Sequence, residues 1–329
     1  MSTSLFFARG VFGGVNLYDG NGYIPVSPVG EVTFPLNDSA YDVAFSPDDA
    51  YLAAAFGFVS PRVRVLDVNT LTPLPVFSSL PLSNAEGVRF NPSGTLLAVC
   101  GSSPYISLYR TSDWVKLANP ASLPTAHTYA LEFSPDGSTL AMASDPSPIL
   151  TLYNTSTWAK LTTPAGLPTG VTGQSMAFSP SGGVLAIGLS AAPRLALYST
   201  SGWVRMADPS GVIQGGVTAL AFSADGSRLF VGTNANPYLY VYDTATWGQV
   251  AQPATLPVGA VTALSLGNDG NTLAVVGTNK VVFYAVDTLE VETELDVFST
   301  YGAGAFSNTT YVPAVEAFWT QRIRAEEII

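Results

Sequence analysis

Histidine occurs once in this chain, at His127, and cysteine once, at Cys100. A zinc site built from imidazole and thiolate needs three or four such ligands, so zinc chemistry is excluded in practice. A serine hydrolase would have to take its general base from His127, and no Gly-x-Ser-x-Gly elbow accompanies it. Cys100 ends the apolar run Leu96-Leu97-Ala98-Val99 and reads as a small core residue. Asp136, Asp225 and Asp269 each precede a glycine, as acids in calcium loops do. Ser-Pro-Asp-Gly makes a turn by its own chemistry, however, and Glu290, Glu292, Glu294 and Asp296 follow no loop-type ligand spacing. No phosphate-cradling Gly-x-x-x-x-Gly-Lys is present. The residues therefore imply no metal, no cofactor and no catalytic group.

Aromatic recognition is the remaining chemistry. Trp114, Trp158, Trp203 and Trp247 each end a Thr-x-x-Trp run. Such a series could ring a sugar or a peptide. It could equally be one packing rung per structural unit, and Leu71 and Leu289 at the matching positions favour packing.

The element that places these residues is a repeat. Phe45, Phe90, Phe133, Phe178 and Phe222 head the turns Ser-Pro-Asp-Asp, Asn-Pro-Ser-Gly, Ser-Pro-Asp-Gly, Ser-Pro-Ser-Gly and Ser-Ala-Asp-Gly, and Leu266 heads a weaker copy. The spacing is 43 to 45 residues. Each unit reads as strand, turn, strand, Pro-containing turn, strand, Thr-x-x-Trp turn, strand. A fixed period near 44 built of short strands is the mark of a β-propeller blade.

Six units follow in series. Three strands at the N-terminus, with Phe306 near the other end, supply one more set. The fold expected is all-β: a seven-bladed propeller of four-stranded blades over residues 1–308, closed by N- and C-terminal strands sharing one blade. Eight blades is the alternative count. Residues 309–329 are left as an extension. They alternate apolar Trp319 and Ile323 with Arg322 and Arg324, a period-2 pattern suited to a docking strand. These four residues are the candidate interface.

The Phe-Ser-Pro-Asp-Gly-x-x-Leu-Ala unit resembles the WD-repeat-like and YVTN-type propellers of bacteria and their viruses. The Gly-His and Trp-Asp dipeptides of eukaryotic WD repeats are missing. The run Leu152-Tyr153-Asn154-Thr155-Ser156-Thr157-Trp158 and the Ala-x-Leu-Pro linkers are similar to propellers encoded beside virion genes of tailed bacteriophages. That resemblance implies a non-enzymatic structural or interaction protein, an accessory of the tail or head. Its partners would be other virion proteins, or a host-surface protein or glycan. A bacterial lactonase-like propeller enzyme is the alternative.

The formal net charge is −11, with 13 basic residues, which argues against nucleic-acid binding. No 18-residue apolar run or signal-type N-terminus is evident, so no membrane insertion is expected. The expected location is a virion after synthesis in a host cytoplasm, or else a bacterial cytoplasm.

Overall fold

A computed structural model describes residues 6–11, 14–19, 31–33, 40–57, 62–68, 70, 72–74, 84–145, 148–250, 252–267, 270–278, 280–296 and 304–306. Every regular element among them is a strand. Each repeat folds into an antiparallel sheet whose first strand lies innermost and ends at the anchor residue. These inner strands are Ala40–Phe45, Ala85–Phe90, His127–Phe133, Gly173–Phe178, Val217–Phe222 and Val261–Leu266.

The expectation of seven uniform four-stranded blades, and the eight-blade alternative, are corrected. Six blades, not seven, are built from the consecutive repeats. Four of them have four strands, and in the second and third the fourth strand shrinks to one bridge, Tyr109 to Lys116 and Tyr153 to Lys160. The bridge and the two-residue strands differ by one residue pair only: Leu117 N and Leu161 N donate to Leu108 O and Leu152 O at 2.8 Å, as Met206 N does to Leu197 O in the fourth blade. The physical reason for the count lies at the termini, whose strands do not reproduce a repeat.

The terminal strands form a sheet of different build, in the order Gly304–Phe306, Phe6–Val11, Gly14–Asp19, Glu31–Thr33. Its inner strand has three residues where the repeats have six or seven. It lies beside Ala40–Phe45 and Val261–Leu266. Of the three N-terminal strands expected from the sequence, the last, at residues 23–26, falls outside the described residues, and Glu31–Thr33 is the outer strand of this sheet.

The turn sequence explains how blades are held together. In the third blade Ser134 Oγ donates to Asp136 Oδ1 at 2.5 Å, and Ser138 N donates to the same oxygen at 3.0 Å. Thr139 N closes the turn on Ser134 Oγ at 2.9 Å. Gly137 adopts φ +71°, which a side chain would resist, and a Cβ there would sit 3.5 Å from Pro92 of the preceding blade. Gly94, Gly182 and Gly226 meet Pro47, Pro135 and Pro180 in the same way. The threonine of Thr-x-x-Trp donates back to that glycine's carbonyl, Thr155 to Gly137 and Thr244 to Gly226 at 2.6 Å. Proline and glycine thus knit blade to blade, while threonine ties the two ends of one blade.

Core clusters straddle neighbouring blades. One joins Ala53, Val63 and Val65 of the first blade to Val88, Leu97 and Tyr109 of the second. Cys100 is fully buried, and desolvation pushes its thiol well above the usual range, so it is a core residue and not a reactive one.

Candidate functional site

In all six blades the inner strand slips register against its neighbour at one position, four residues before the anchor. The residue there is Tyr41, Glu86, Tyr129, Gln174, Thr218 or Thr262. A bulge leaves one residue unpaired and re-aims its side chain. These six side chains line one axial cavity of about 130 Å³. The repeat anchors pointed to strands and turns; nothing in the period marked this position. A signal was nonetheless present, because it is the place where uniform repeats carry different polar and aromatic residues.

The cavity is chemically lopsided. Charge is concentrated on the first three blades. Arg89 Nη1 lies 2.5 Å from Asp42 Oδ2, and Arg89 Nε lies 3.0 Å from Glu132 Oε2, so one guanidinium bridges three blades. Val43 N and Val88 N also donate to Asp42, each at 3.0 Å. Desolvation pushes the Asp42 and Glu132 carboxyls up, with Arg89 pulling the other way. Burial works to lower Arg89, but the two carboxylates outweigh it and hold the guanidinium above its usual range. The facing blades contribute Thr218, Ala219, Thr262 and Ala263.

At one mouth of the cavity stands a second network. His127 Nδ1 is 3.2 Å from Ser102 Oγ, and His127 Nε2 is 3.2 Å from Glu86 Oε1. The three residue types are those of a nucleophilic relay, but the bonding is that of a clasp. Ser102 gives both its hydroxyl and its N–H to Asn84 Oδ1, and Asn84 Nδ2 donates to Glu86 at 2.6 Å. The serine proton therefore points at an amide oxygen instead of a base. Equivalent clasps recur where no histidine exists, Thr172 N to Ser190 Oγ at 3.0 Å and Gly216 N to Asn234 Oδ1 at 2.8 Å. They bind the start of an inner strand to the second hairpin of its blade. Tyr129 packs on His127 with ring centroids 4.5 Å apart and stays 36% exposed, facing the opening.

The Asp-Gly turns lie elsewhere, and their carboxylates are committed to the turn. Ser223 chiefly, then Ser227, hold the Asp225 carboxyl down to about 2. A carboxyl depressed in the folded state adds stability above its unfolded pKa, and loses it as pH falls toward the folded value. Ser223→Ala should raise the Asp225 pKa toward 3.8 in an NMR titration and flatten the acid limb of the stability curve between about pH 4 and 2. An unmoved Asp225 resonance would show that the hydroxyl is not the cause. Asp269 falls outside the described residues. Among the described residues no three His, Cys, Asp or Glu side chains converge as metal ligands. No helix among them is long and apolar enough to cross a membrane.

The tryptophans do not surround the axis. Each is half-buried at the rim and packs on the cluster shared by its own blade and the preceding one. Trp114 meets Tyr51 of the first blade edge-on, centroids 5.0 Å apart, and Phe90 of its own at 6.5 Å. They are packing rungs. Trp319, Arg322, Ile323 and Arg324, the interface expected from sequence, lie outside the described residues.

No protein-family model matches the chain. It is similar to WD repeat-containing protein VIP3 of Arabidopsis thaliana, 34% identical over 106 residues, which is 28% of this chain and 33% of that protein. The fold is a β-propeller, and part of it is similar in sequence to a WD-repeat protein. The match spans about a third of the relative's length, so the likeness reaches the repeat and not the whole molecule. A propeller of this build offers two kinds of surface. Its blades supply rigid loop faces, and the bulge ring supplies an axial surface that differs from blade to blade.

Proposed function

We propose that this propeller is a non-enzymatic interaction module that recognises another protein at its axial bulge ring. We propose further that it serves as an accessory component of a tailed-phage particle, carried there after synthesis in the host cytoplasm. The observation that supports recognition is the contrast between scaffold and ring. Turns, glycines, threonines and tryptophans repeat from blade to blade, whereas the bulge position changes between tyrosine (Tyr41, Tyr129), acid (Glu86), amide (Gln174) and threonine (Thr218, Thr262), all lining one cavity. A purely structural ring has no need of that variety. The committed state of Ser102, His127 and the Asp-Gly turns supports a binding role over a lactonase-like one. The virion reading rests on the phage-like Leu152–Trp158 segment.

Mass spectrometry of purified particles tests the location: the chain should be present in stoichiometric amount, and its absence sinks the virion role. The ring is tested separately with Glu86→Lys and Tyr129→Ala. Tyr129→Ala should keep the wild-type melting temperature and lose incorporation, whereas Glu86→Lys, which also breaks the bonds with Asn84 and His127, should lose incorporation and lower the melting temperature. Normal incorporation of both would mean that recognition occurs on another surface.

A further inference from the structure

The rim of the sixth blade lacks an indole. Leu289 holds the rung position that Trp114, Trp158, Trp203 and Trp247 fill in the second to fifth blades. The backbone is the same. Leu289 has φ 58°, against 54 to 57° for the tryptophans, and its N–H donates to Ala285 O at 2.8 Å, as Trp247 N does to Asp243 O. Only the side chain has changed.

What the indole does at that place is visible between the third and fourth blades. Two pockets lie there, and Trp203 is the one residue common to both. One, of about 710 Å³, runs along linker residues 163–166. The other, of about 250 Å³, opens on the turn residues Ser138 and Thr139. The ring divides them. Between the fifth and sixth blades a single cavity of about 860 Å³ covers both places. It touches Ser227 and Arg228, which correspond to Ser138 and Thr139. It also touches Pro253, Ala254 and Thr255, which correspond to Pro164, Ala165 and Gly166. Leu289 stands where the partition would be. The gap is the shape left by a missing aromatic ring.

Its walls suit an incoming ring. Val250, Leu289 and Val291 give it apolar surface, backed by the core cluster that the two blades share. Arg228 reaches across from the fifth blade and donates to Val286 O, which fixes its guanidinium at the gap. A guanidinium plane stacks on aromatic faces. The lip is acidic. Asp287 and Glu290 are exposed, and among the described residues neither meets a cation.

We propose that this gap receives an aromatic side chain of another protein, tryptophan by fit, with a basic residue beside it. The ring takes the place of the missing rung over Leu289, and the basic residue meets Asp287 and Glu290. Aromatic anchors seated in pockets carry much of the binding energy of an interface. The site lies on the rim and stands apart from both the axial ring and the virion reading.

An NMR titration of the full chain with N-acetyltryptophanamide tests the pocket. The probe should bind with a Kd on the order of 0.1–1 mM and shift the amides of Thr255, Thr288 and Glu290. Acetyl-Lys-Trp-Lys-amide should bind about three- to fivefold tighter at low salt, and acetyl-Lys-Ala-Lys-amide should not bind. Leu289→Trp should fill the gap and weaken both tryptophan probes by about tenfold or more. Should that variant fold poorly, Glu290→Lys, at an exposed position, should remove the advantage of the lysine-flanked peptide and leave the neutral probe unchanged. The proposal is overturned if no saturable shift occurs at these residues, or if Leu289→Trp binds as the parent does. Shifts at Tyr41 and Tyr129 instead would overturn it by placing aromatic recognition at the axis. Free tryptophan brings a carboxylate toward the two acids and should bind no tighter than the neutral probe. Binding tighter by about tenfold would overturn the partner reading and make this a pocket for the amino acid.

Discussion

Trp114→Gly is expected to destabilise the propeller less than Trp114→Ala, by about 1 kcal/mol, although it removes one more carbon. The reason is backbone conformation. Trp114, Trp158, Trp203 and Trp247 all sit at φ between 54 and 57°, and Leu289 sits at 58°. That left-handed region costs an L-residue roughly 1–2 kcal/mol, and for a bulky side chain it is a genuine outlier. Trp158, Trp247 and Leu289 each close a turn in which the N–H bonds four residues back, as Trp158 N does to Asn154 O at 2.7 Å. Glycine is the ordinary choice at such a position. Tryptophan holds it because the half-buried indole joins two blades. Trp114→Ala keeps the strained backbone and loses the contacts with Tyr51 and Phe90, at a cost of about 3 kcal/mol, the low end for large aromatic truncations because the ring is part-exposed. Trp114→Gly loses the same contacts and relieves the strain. Urea unfolding of the two variants measures the difference. If alanine proves the milder substitution, the turn carries no strain and this account of the tryptophans fails.

This turn also shows how far the sequence could be read. Period, strand order and the Thr-x-x-Trp rung were legible because turn chemistry is local: Ser, Pro, Asp and Gly each act within five residues. The positive φ at tryptophan was not legible, since the residue type argues against it and only contact with the neighbouring blade overrides the local preference. The blade count failed for a different reason: the terminal strands lie outside the period, and their inner strand, Gly304–Phe306, has three residues where a repeat has six or seven. The axial ring was hidden more deeply. A bulge shifts pairing by one residue without changing the apolar pattern around it, so Glu86 and Tyr129 read as ordinary strand positions. The Asp42–Arg89–Glu132 bridge joins residues more than 40 apart, and no motif announces it.

Replacing Arg89 by methionine should cost about 2–3 kcal/mol at pH 7, and the cost should shrink markedly by pH 4. Fully buried pairs lose about 3–5 kcal/mol when one partner is removed. Here the side chains of Asp42, Glu132 and Arg89 keep 20, 28 and 32% of their exposure, so solvent screening trims the effect. Removing the cation leaves two half-buried carboxylates that repel each other, as Asp42 already does Glu132. Desolvation already holds both above their ordinary values of 3.8 and 4.5, and losing Arg89 raises them further. The sign follows. An acid whose folded pKa exceeds its unfolded one binds more protons when folded, so its contribution to stability falls as pH rises through that window. The variant has the wider window and is penalised most at neutral pH. Below the window both carboxyls are protonated, need no counter-charge, and the variant approaches the parent. Arg89→Met combined with Asp42→Asn and Glu132→Gln should recover to within about 1 kcal/mol of the parent at pH 7, because breaking a pair costs more than replacing it whole. Denaturant melts of the single and triple variants at pH 4 and 7 decide the matter. A penalty that is the same at both pH values, or a triple variant no better than the single, would mean that Arg89 acts by packing its aliphatic stem and that the charge bridge is incidental.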